Sequence, residues 1–265
     1  MTAPPPHEIA AVAVDHAEKQ VLYVTKDMLL NQLRRDGPRI GDSFDRIHDR
    51  DLSELSEVLA RASALLLMGH RHVLRGDDKL RVACSHLIFN AVNSFIGSAA
   101  LLRQGFYLQC AILVRSVVEQ VATVLHLVTT PNDLQRFMRN DLELKAILAG
   151  AKRVLPPFGY LYGFFSETFV HMSPLHGTLQ LLIPYDGPSD ELDANIGFLR
   201  TAVWLLLVTT ELLFIDLASE RLYWERLDSD RVVYNPSRET KLWQERFMRA
   251  ANRASKAADE KEDAV

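Results

Sequence analysis

NAVNSFIGSAALLRQGFYLQCAILVRSVVEQVATVLHL, residues 90–127, decides the fold. Apolar residues recur along it at helical spacing, and Gly105 breaks the pattern once, near the middle. A break this short between two long periodic runs predicts an antiparallel helical hairpin. Its first arm begins after Asp78 and runs through Leu102, and its second occupies 106–129. Each arm has about 24 residues, or roughly 36 Å at 1.5 Å per residue, enough for the spine of a bundle. Ala91, Ser94 and Ser98 recur near one face of the first arm and allow close approach.

Upstream, Ile9, Val12, Val21, Leu22, Leu29, Leu30 and Leu33 fit a helical period, which predicts one long helix over 8–35, readable as a peripheral arm. The stretch RRDGPRIGDSF reads as a stop, through Gly37, Pro38 and Gly41, and Asp51 or Ser53 then caps a second helix running to about Leu74. Downstream, Pro131 after Thr130 starts a charged amphipathic helix that Gly150 terminates. An aromatic-rich helix over 157–171 ends before Pro174, and GTLQLLIPYDGPSD is a loop. Ser189 or Asp190 caps a long apolar helix reaching about Leu222, and a last amphipathic helix covers 237–254. No repeat and no sustained strand alternation is visible. The expected fold class is all-α, a multi-helix bundle built on the long antiparallel hairpin. A single domain spans 8–254, between a disordered leader, 1–7, and a disordered tail, 255–265.

Composition narrows the setting. With 48% hydrophobic and 24% charged residues the chain is of ordinary globular type, and a net charge of -4 gives it no basic face for nucleic acid. Cys84 and Cys110 sit in apolar helical contexts, with no CxxC pair and no secretory segment, which predicts a reducing cytoplasm. The run FLRTAVWLLLVTTELLFIDLA, 198–218, is long enough to span a bilayer, but Arg200, Glu211 and Asp216 interrupt it. A charged residue at a bilayer centre costs at least about 2.5 kcal/mol, so the run is expected to be a buried central helix and no membrane is assigned.

Three clusters carry candidate chemistry. Arg115 and Glu119 stand four apart on one helical face, and His126, seven residues on, lies near the same stripe. In SETFVHMSPLH, Glu167 and His171 are again four apart, with His176 beyond Pro174. A carboxylate with two imidazoles raises the question of a metal, but the spacing matches neither HExxH nor the ExxH of di-iron bundles, so neither metal nor cofactor is assigned. In RVACSH, Arg81 precedes His86 with four residues between, which resembles the spacing in nuclease-active HEPN proteins, and there an arginine could hold a phosphate while a histidine moves a proton. His70 and His72 are explained by a helix C-terminus.

The hairpin, followed by LQRFMRNDLELK and FSETFVHMSPLHG, resembles a widespread family of uncharacterised helical bacterial proteins. Those proteins share a small-residue hairpin, an LxRSxxE helix, an RF-centred acidic helix and a later histidine before a turn. The likeness covers residues 86–177 and implies an all-helical, HEPN-like fold. It points to Arg115, Ser116, Glu119, His171 and His176 as functional positions, and it implies no settled activity.

The expectation is therefore a soluble, cytoplasmic helical interaction or ligand-binding protein. It would be a homo-oligomer, taking a small anion or RNA in a pocket of Arg115, Ser116, Glu119, Glu167, His171 and His176. The alternative is a HEPN-like ribonuclease toxin or phage-defence effector using Arg81 and His86. A metal-dependent hydrolase or oxidase is a third class. The chain has no phosphate loop, nucleophile elbow or cofactor fingerprint.

Overall fold

Gly105 adopts φ +89, a backbone region that a β-carbon disfavours, and there the chain reverses between two long helices. A computed structural model describes residues 8–156, 158, 181–228 and 231–249. In chain order its elements are β1 (Ile9–Asp15), β2 (Gln20–Thr25), α1 (Met28–Asn31), α2 (Gly37–Val73), α3 (Lys79–Arg103), α4 (Tyr107–Thr129) and α5 (Leu134–Met138). There follow α6 (Leu144–Val154), α7 (Asp190–Leu213), β3 (Trp224–Arg226), β4 (Val232–Tyr234) and α8 (Arg238–Arg249). The fold is a helical bundle on the α3–α4 hairpin, with two small two-stranded sheets added.

The predicted spine is present. Asp78 caps α3 by accepting the Arg81 backbone N–H at 2.9 Å, and Ala91 and Ser98 are buried where α3 meets α4. Against this pair lies α7, capped by Ser189 and buried from Ile196 to Leu213 except at Gly197 and Thr201. It packs on α2, α3 and α4, so the 198–218 run is the bundle's central element as expected. By length and composition α3, α4 and α7 are each apolar enough to cross a membrane, yet α7 is enclosed by protein.

Several expectations are corrected. Residues 8–35 are not one long helix: only the part from Met28 on is helical, while β1 and β2 form an antiparallel hairpin, pairing Val12 with Tyr23 and Val14 with Val21. The β-branched and aromatic run explains the choice, and the Asp15 carboxylate fixes the turn by accepting from Ala17 and Glu18 at 2.9 and 3.0 Å. Among the described residues nothing extensive covers the arm. Val12, Val14, Val21, Leu22, Tyr23 and Val24, then Met28, Leu29, Leu30 and Leu33, are all exposed, and the extensive contacts of β1 and β2 are with each other.

The stretch RRDGPRIGDSF does not stop a helix: the helix that begins at Met28 passes through a π-helical turn, Gln32–Asp36, and continues into α2. Pro38 lies in the first turn of α2, directly after that π-helical turn, whose wider i→i+5 bonding runs from the Gly37 N–H to the Gln32 carbonyl. Gly41 is internal because the Arg103 guanidinium lies over it, bonded to Asp45 at 2.8 and 2.6 Å. The helix then passes Asp51 and Ser53, expected to be caps, and bends at His48 (φ -118, ψ 21).

After α4 the expected single helix is divided by a turn with Asn140 at φ 59. Gly150 lies inside α6, because a β-carbon there would overlap the His126 ring. The apolar helix stops at Leu213 rather than Leu222. Glu211, buried, accepts the N–H groups of Tyr223 at 2.8 Å and Trp224 at 3.1 Å and draws the following chain back onto α7. Trp224 Nε1 donates to the Val208 carbonyl at 2.7 Å, which seats β3.

The aromatic helix expected over 157–171 falls almost wholly outside the described residues, as do the leader, the tail and the end of the last helix beyond Arg249. Gly150→Ala is expected to lower stability by about 1–3 kcal/mol through overpacking against His126, with helical content retained, as urea unfolding will measure.

Candidate functional site

The bend at His48 lets His48, Asp51 and Glu54, spaced three apart, face α7 along one stripe of α2. Arg200 of α7 meets them with 0% of its surface exposed. Its Nη2 donates to Asp51 Oδ1 at 2.5 Å and lies 2.9 Å from Glu54 Oε2, while Nη1 donates to the Phe247 carbonyl at 3.1 Å. The guanidinium also lies 4.7 Å from the centre of the Phe247 ring. One charge thus ties α2, α7 and α8 together.

His48 completes the network. Its Nδ1 is 2.8 Å from Asp51 Oδ2, and since a carboxylate only accepts, Nδ1 carries a proton toward it. Burial pushes the Asp51 carboxyl up, but the bonds from His48 and Arg200 outweigh it and hold the group below its ordinary 3.8. The same contest at Glu54, with Arg200 and Arg50 donating, holds that carboxyl below 4.5. Asp193 goes the other way: burial raises it, and its Oδ2 has no partner among the described residues. His48 Nε2 and Asn195 Oδ1 are likewise buried and unpartnered there. An aspartate-oriented imidazole has the order of a general base, although His48 does not line the cleft described next.

Beside the Arg200 network a cleft of about 370 Å³ opens between α2 and α8. Arg50, Glu54, Glu57, Val58 and Arg61 line it from α2, and Trp243, Arg246 and Phe247 from α8. Trp243 and Phe247 stack with centroids 5.0 Å apart and planes 10° apart. Arg50 bonds Glu54 at 3.0 Å, while Arg61 and Arg246 reach solvent. Three guanidinium groups over a flat apolar floor can hold an anion.

The expected site residues are placed as follows. Arg115 and Glu119 pair at 2.9 Å, half-buried on α4, one turn apart on their own helix as the spacing predicts. Ser116 accepts from Gln120 Nε2 at 3.1 Å. Glu167, His171 and His176 lie outside the described residues. His126 is buried against Gly150, and its Nε2 lies 2.8 Å from Asp133. Arg81 bonds Asp216 at 2.9 Å and lies 3.5 Å from Asp78, whereas His86 is exposed with its ring beside that of His70. Among the described residues no group of three or more His, Cys, Asp or Glu is arranged to hold a metal ion. The chain matches no family model, no curated protein and no solved structure.

The sequence reading missed the Arg200 network. Arg200 counted only against a membrane span and Asp51 only as a cap, yet the stripe HDRDLSE, with polar groups at every third position, was the available signal.

Since both carboxylates are depressed when folded, they contribute stability that is complete above about pH 5 and is lost as pH falls through 4 and below. Asp51→Asn is expected to cost about 3 kcal/mol at pH 7 and to flatten the loss between pH 5 and pH 3. Urea unfolding at the three pH values measures both, and an unchanged acid dependence contradicts the assignment.

Proposed function

We propose that this chain is a cytoplasmic helical ligand-binding protein whose α2–α8 cleft takes a small anion carrying a flat apolar group. The observation that carries this reading is the convergence of Arg50, Arg61 and Arg246 with the stacked Trp243 and Phe247 on one cleft. Its volume falls at the lower end of the range of small-molecule sites, about 300–1,000 Å³. A guanidinium offers two parallel donors to a carboxylate or phosphate, and an indole face accepts a planar group. Glu54 is engaged by Arg50 and Arg200, so its charge is compensated, and Glu57 is an acceptor able to discriminate among ligands by their donors. The two free, buried cysteines accord with a reducing compartment, and burial pushes both thiols up to about 12.

Calorimetric titration with a nucleoside monophosphate, with inorganic phosphate and with the uncharged nucleoside tests the reading. The expected result is saturable 1:1 binding of the monophosphate, weaker binding of either fragment, and a loss of about tenfold or more in Arg61→Ala or Arg246→Ala. Both positions are exposed, so the circular dichroism of these variants should match the wild type. Absence of saturable binding to all three probes overturns the proposal. RNA cleavage abolished by His86→Ala, with the fold intact, replaces it with the ribonuclease.

A further inference from the structure

We infer that the β1–β2 arm, continued through α1 to Leu33, is a self-association surface that docks a second copy of this chain. An isolated two-stranded hairpin is marginal in water, and three or more strands or a packing partner are needed to hold one. Among the described residues this hairpin receives no extensive packing from the rest of the chain. Its exposed residues are not those of a solvated arm, since the strands and the turns to Leu33 present ten large apolar side chains to solvent. At on the order of 100 Å² each, the eight of them on one hairpin face and from Met28 to Leu33 offer roughly 800 Å², the amount per partner in a standard stable interface. A patch of that size on a chain alone exceeds what monomers ordinarily expose.

The pairing register says which face docks. Val12 pairs with Tyr23 and Val14 with Val21, so these four side chains share one face of the hairpin, with Ile9 and Thr25 at its end. No charged residue belongs to that face. Asp15 and Gln20 fall on the other, beside Ala11, Ala13, Leu22 and Val24. Docking the uncharged face on its twin about a two-fold axis therefore buries apolar area and strands no charge. A partner chosen by charge would need complementary charge on this face, and it has none. The same apolar, β-branched surface is self-complementary by construction, so each copy supplies the missing layer for the other.

Sedimentation velocity of the full chain over a concentration series, on the wild type and on Val12→Glu/Tyr23→Glu, tests the inference. The expected results are a wild-type dimer and a monomeric variant, with helical circular dichroism unchanged because the bundle does not depend on the arm. A second variant keeps the hairpin intact: Tyr23→Cys should give a disulfide-linked dimer on mild oxidation, the native thiols of Cys84 and Cys110 being buried. A monomeric wild type overturns the inference, and so does a dimer that survives the double substitution. A monomer that floats with uncharged phosphatidylcholine vesicles through the arm also overturns it, in favour of a lipid surface. None of these outcomes bears on the α2–α8 cleft, whose titration is read separately.

Discussion

A guanidinium held wholly out of water at Arg200 is the constraint on which the cleft end of this bundle depends. Burying such a charge costs several kcal/mol unless its donors are matched, and the match is drawn from distant parts of the chain. Asp51 and Glu54 come from α2, and the Phe247 carbonyl and ring from α8. Those partners fix where α2 must bend and where α8 must dock. His48 takes the second oxygen of Asp51 and sits at the bend itself. The cleft is the outer consequence, since Glu54 and Phe247 belong both to the network and to its walls.

Toward the other end of α7 a second buried acidic group does comparable work through backbone N–H donors. Glu211 accepts backbone N–H groups from the chain that follows, and burial raises its carboxyl. The result is a reversal that replaces two helical turns expected from the apolar pattern. Tyr223, Trp224 and Tyr234 then pack on one another and close that side of the core. Charges inside the apolar run thus act as anchors, one at each end of the central helix.

The α3–α4 hairpin was legible in the sequence because its signals are local: a helical period on both sides of one glycine, and Asp78 as a cap. The β-hairpin was not, because none of the other described residues packs extensively on it. With both faces rich in apolar residues, the alternation that marks a half-buried strand is blurred, and a sparse helical period fits as well. Gly37 and Pro38 were misread for a different reason, since a π-helical turn, Gln32–Asp36, carries the helix past them and leaves no local signature in the sequence. The ion pair of Arg115 and Glu119 was legible as an i,i+4 contact. The pairing of Arg200 with Asp51 spans 149 positions and leaves no local trace, except the three-residue stripe of polar groups on α2.

The central claim, that Arg200 clamps α8 to α2 and so forms the cleft, is tested most directly by hydrogen exchange in Arg200→Met. The account predicts that amides of α8, Arg238–Arg249, lose protection by an order of magnitude or more while those of the α3–α4 hairpin keep theirs. Unchanged protection of α8 would show that apolar packing alone seats it, and would contradict the account.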